Sequence, residues 1–178
     1  MKNTGYLVLA FLLLGLSAFT FYYSDELKIS KEYEIVFTSE DVSGNFKTLK
    51  GTVVFDEAHP ESSSLNLIVD VNSINTGNNL KNKHARDANW FDAEKYPEIT
   101  FVSRSIERKE NAYSAKGTLS MHGVSKEVAI PFSFVKTDKG GVFKADFEVD
   151  RTHFNVGKPD NKVSTVMLLK VALPVLNK

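Results

Sequence analysis

From Ser24 onward apolar and polar residues alternate in short runs, and this period of two dictates strands with one buried face. Tyr33, Ile35 and Phe37 share one face, with Glu34 and Thr38 on the other. After the turn signal Ser43-Gly44-Asn45 come Leu49, Gly51, Val53 and Phe55; Leu65, Leu67, Val69 and Val71 then alternate with Asn66 and Asp70. Further runs cover Ile99 to Ile106, Tyr113 to Met121, Val128 to Val135, Val142 to Val149 and Val163 to Val175. About eight strands result, most at hairpin spacing with turn signals such as Asp138-Lys139-Gly140-Gly141.

Residues 72 to 97 break the alternation and read as a polar loop carrying one or two short helical turns. A connection of that length in a compact domain is usually functional. Eight antiparallel strands without a long helix form either a sandwich or a closed barrel. A barrel of about eight strands is filled by its own side chains or holds one small ligand. The inward set mixes many Phe with Gly51, Ala115, Gly117 and Ala145, a combination that can leave a void. A filled core fits the pattern equally well.

Gly5 to Tyr23 carries no charge and is flanked by Lys2 on one side and by Asp25, Glu26 and Lys28 on the other. It is expected to be an apolar helix. It exceeds the apolar stretch of about 7–15 residues in a cleaved signal peptide and falls just short of the roughly 20 that span a bilayer. The small-x-small site Gly15-Leu16-Ser17 is mediocre. Residues 1–24 are thus a signal peptide or a membrane anchor, and residues 25–178 a single domain exported to the periplasmic or extracellular side.

Lys plus Arg and Asp plus Glu both total 22, so no basic footprint for nucleic acid exists. The absence of cysteine excludes disulfides, thiolate zinc sites, Cys nucleophiles and a lipoprotein cysteine. His59, His84, His122 and His153 never fall at paired ligand spacing. Neither Gly-x-Ser-x-Gly, His-Glu-x-x-His nor a phosphate-cradling glycine loop occurs. Asp92 and Glu94 lie too close in sequence to flank a bond from opposite sides. No metal, cofactor or catalytic residue is expected.

Four segments occur in a recognisable order. The first runs from Val69 through Ser73-Ile74-Asn75-Thr76-Gly77-Asn78 and His84 to Trp90-Phe91-Asp92. Tyr96-Pro97 with Phe101-Val102-Ser103 follows, then Gly117 to Lys126 around His122-Gly123-Val124, then Arg151-Thr152-His153-Phe154-Asn155-Val156-Gly157. Together they resemble the YceI family, and the likeness covers about Ile35 to Leu173. Two positions depart from it. Lys81-Asn82 stands where many members carry Arg-Asp (Arg86-Asp87 is five residues out of register), and Phe37-Thr38-Ser39-Glu40 lacks their early histidine. The resemblance implies an exported lipocalin-like antiparallel barrel with a long internal tunnel. It further implies a polyisoprenoid, quinone-like or fatty-chain lipid as partner, and no established catalysis.

A lipid tunnel needs apolar walls and a few polar groups at its mouth. The wall candidates are Phe37, Phe46, Phe55, Phe101, Leu119, Met121, Phe132, Phe134, Phe143, Phe147 and Met167. Trp90 and Phe91, adjacent aromatics in the irregular loop, are either a lid on the mouth or a latch closing one end. Head-group candidates are Asn78, Lys81, His84 and Arg151, with Lys83 and His153 nearby. The expected function is sequestration or carriage of a long-chain lipid. The alternatives are a filled structural or adhesive barrel acting through its loops, and an enzyme acting on a bound quinone-like molecule.

Overall fold

The computed structural model describes residues 26–159 and 162–177. The expected N-terminal helix lies outside them. Among the described residues no helix is long and apolar enough to cross a membrane.

The strands are β1 (Glu26–Ile29), β2 (Glu34–Thr38), β3 (Ser43–Phe46), β4 (Leu49–Val54), β5 (Ser64–Asp70), β6 (Ile74–Asn75), β7 (Glu98–Lys109), β8 (Ala112–Met121), β9 (Val124–Thr137), β10 (Gly140–Asp150) and β11 (Val166–Leu176). One eight-residue helix, α1 (Asn79–Arg86), sits in the irregular segment. All pairings are antiparallel, in the order β1-β4-β5-β7-β8-β9-β10-β11, and β11 pairs back with β1 to close an eight-stranded cylinder.

The count of eight hides three broken strands. β1 and β2 both pair with β11, so they are two pieces of one first strand. β3 and β4 likewise form the second strand, and β5 and β6, separated by a 3-10 turn at Val71–Ser73, the third. At the first break the Tyr33 hydroxyl donates to the Lys47 carbonyl (2.9 Å) and accepts from the Leu49 N–H (2.8 Å), replacing ladder bonds that the kink removes. A fourth irregularity is the bulge in β7 between Ser103 and Ser105. It changes the inward parity from Ile99 and Phe101 to Ile106. Ser103 Oγ accepts from the Leu65 N–H at 2.8 Å. Only glycine fits opposite: a Cβ on Gly117 would lie 2.2 Å from the Val102 carbonyl oxygen.

One ladder stops early. β9 pairs with β8 from Val124 to Phe132 but with β10 only from Ser133 to Thr137. Ala145 to Asp150 of β10 register with β11 alone. Pro131, which has no N–H, stands where the ladder ends.

Candidate functional site

Inside the cylinder is an apolar cavity of about 490 Å³, so the interior is not filled by its own side chains. It opens at the end where α1 lies. The opposite end is closed by stacked rings: Phe55 lies 5.1 Å from Tyr113 and 5.0 Å from Phe143, Phe134 lies 4.7 Å from Phe143, and Tyr113 stacks on Phe132 at 5.2 Å. The interior is therefore a cup with an aromatic floor rather than the expected tunnel.

Nine of the eleven expected wall residues line the cavity: Phe37, Phe46, Phe101, Leu119, Met121, Phe132, Phe143, Phe147 and Met167. Phe55 and Phe134 also turn inward but form the outer layer of the floor, behind Phe132 and Phe143. Alternation along a strand reveals the face of a residue and not its height on the barrel axis. Much of the remaining wall is aliphatic: Ile35, Leu49, Leu65, Leu67, Val69, Ile99, Ile130, Leu169, Val171 and Leu173, with Ala115 and Ala145. These lie on the same alternating faces as the phenylalanines, and the pattern that found the aromatics marks them too.

Trp90 and Phe91 both line the cavity at its rim. Phe91 meets Phe46 edge to face with centroids 6.1 Å apart. Trp90 lies under the Arg151 guanidinium at 4.9 Å and against Gly157, where a Cβ would come 2.8 Å from the indole. They form a fixed cover over part of the opening.

Of the expected head-group residues, Lys81 and His84 reach the cavity, one turn apart on α1, with Ala85 beside them. Asn78 does not. Its side chain caps α1, accepting from the N–H groups of Leu80 (2.9 Å) and Lys81 (3.0 Å). Arg151 borders the cavity but is spent on the backbone. Its Nε donates to Ser164, Nη1 to Val156 and Lys158, and Nη2 to Lys158 and Val163, all carbonyl oxygens at 2.8–3.2 Å. A guanidinium has five N–H donors, and all are used. Arg151 folds the loop before β11 around itself and has none left for a ligand.

The rim also gains residues that composition could not single out. Asp41, Thr76 and Lys162 line the opening. Asp41 Oδ2 accepts from the Ser164 N–H (2.8 Å) and hydroxyl (2.7 Å), tying the β2–β3 turn to the loop before β11. Those hydrogen bonds from Ser164 hold the Asp41 carboxyl below its ordinary value. Thr76 donates through both its N–H and its hydroxyl to Asn82 Oδ1, each at 2.7 Å, so Asn82, one of the departing positions, anchors α1 to the rim. Among the described residues no cluster of His, Asp or Glu could hold a metal ion.

A closed antiparallel cylinder with an apolar cup and a few polar groups at its lip defines a lipocalin-like barrel. The YceI-like domain model matches residues 23–174, and the chain belongs to that family. It is 30% identical to protein YceI of Salmonella arizonae over 135 residues, covering 70% of this chain and 71% of that one. Among solved structures, BcnA of Burkholderia cenocepacia superposes with a TM-score of 0.76 at 27% identity, over 79% of this chain and 94% of the other. A polyisoprenoid binding domain from Saccharophagus degradans, implicated in plant cell wall breakdown, shares the fold with a TM-score of 0.65 at 15% identity, covering 88% and 100%.

Proposed function

We propose that the protein binds one long-chain lipid, tail inward, and shields it from water after export across a membrane. The observation that carries this reading is the unfilled apolar cup, whose lining takes in Lys81, His84 and Lys162 at its open end. A tail transferred from water gains about 25 cal/mol per Å² of apolar surface, so burying a few hundred Å² offsets the ordering cost of binding. The Lys81 ammonium and the His84 imidazole at the lip suit an anionic or polar head group, because hydrogen bonds there cost no burial of charge. The polyisoprenoid binding neighbour with the same architecture supports the ligand class. Lipid binding rather than turnover is proposed, since the groups inside are walls and the polar groups stand at the rim. The charge-free stretch from Gly5 to Tyr23 supports delivery across a membrane.

A titration with a fluorescent fatty acid tests this. The parent chain should bind one equivalent, and Ala115→Trp, which places an indole in the cavity, should lose most of that binding while keeping its thermal unfolding transition. Equal binding by both proteins would contradict an interior site.

A further inference from the structure

We propose that the aromatic floor measures the tail: the cup accepts on the order of sixteen chain carbons and gains nothing from longer ones. This rests on the lipid-binding reading and adds to it the size class of the ligand. The depth of the cup sets the bound. Along β10 the lining runs from Phe143 at the floor to Val149, and Arg151, just past the end of the strand, stands at the rim. At about 3.3 Å per residue on a strand tilted by 35–45°, the depth from Phe143 to Arg151 is about 20 Å, roughly the reach of an extended chain of sixteen carbons.

The floor is rigid enough to act as a stop. Phe132 and Phe143 face the cavity. Behind them Phe55, Tyr113 and Phe134 form a continuous stack, with Phe55 only 4.8 Å from Phe134 and 5.9 Å from Phe132. Phe55, Tyr113, Phe132 and Phe143 are all below one-tenth exposed. A tail that reaches this stack cannot advance without displacing several rings at once, which close packing resists. Ala115, 1% exposed and on the cavity wall, sits one layer above it. A larger side chain there raises the floor.

Displacement titrations with saturated fatty acids of ten to twenty-two carbons read the length directly. The parent should tighten about fourfold per added carbon and then level off near sixteen. Phe143→Ala should move the break about three carbons longer, and Ala115→Leu should move it shorter. Shifts in opposite directions cannot come from general loosening. Should Phe143→Ala fail to fold, the Ala115→Leu shift alone decides. Affinity that climbs through twenty-two carbons in the parent, or a break at one length in parent and variants alike, overturns the floor as a ruler. Folded parent protein that binds no fatty acid of any length overturns the proposed function itself, and the ruler with it.

Discussion

Arg151 is 4% exposed, and the side chain that the sequence marks as a cation for a head group is the organiser of the loop beneath the rim. Its five donors answer carbonyls from Val156, Lys158, Val163 and Ser164, and Trp90 covers its face. Removing it leaves several buried carbonyls unpaired, at about 1–3 kcal/mol each where water cannot reach. Arg151→Lys keeps the charge but loses the planar fork. It should lower stability by at least about 2 kcal/mol in urea denaturation, with Arg151→Ala no more than modestly worse. A lysine variant as stable as the parent would refute the backbone-organising role. Asp41 is the counterpart on the opposite turn. Its folded-state value is depressed, so the Asp41–Ser164 tie is complete at neutral pH and is lost as pH falls through that lower value, below the ordinary 3.8. Release of a bound fluorescent fatty acid, followed by stopped flow, should therefore quicken in that acid window. Asp41→Asn should release faster at neutral pH and flatten the dependence. An unchanged acid profile in the variant would place the effect elsewhere.

At the scale of elements, the alternation of Leu65 to Val71, or of Met167 to Val175, was enough to locate strands and their inward faces, because a sheet face and a period of two are one geometric fact. Less legible were the breaks. Nothing local in Ser30 to Tyr33 or at Lys47 and Thr48 says that one long strand continues past a kink; that follows from what β11 and β5 pair with, far away in sequence. The site shows the same division. Residue types singled out Lys81 and His84, and both border the cavity. They also singled out Asn78 and Arg151, whose side chains the structure finds on backbone groups that no composition reveals. The unpaired stretch between β9 and β10 was equally invisible, although Pro131 is the residue that permits it. Amide hydrogen exchange should make it visible. The β10 amides from Ala145 to Asp150 that face β9 should exchange well ahead of those from Gly140 to Lys144. Uniform protection along β10 would show that the ladder closes fully in solution.

For the whole molecule, the cylinder divides its labour along the axis. One end is packed by aromatic rings and by Val53, Ile106 and Val175, each no more than 1% exposed. This end supplies the hydrophobic burial that holds the fold. The other end leaves its apolar walls facing a void, which forgoes packing contacts that a filled core would have. On the proposed function, that void, with polar groups at its lip, is the space a bound lipid tail would fill. Mass spectrometry of the organic extract from the natively purified protein measures that most directly. Close to one long-chain lipid per polypeptide is expected, strongly reduced in Ala115→Trp. Folded protein that repeatedly yields none would contradict it.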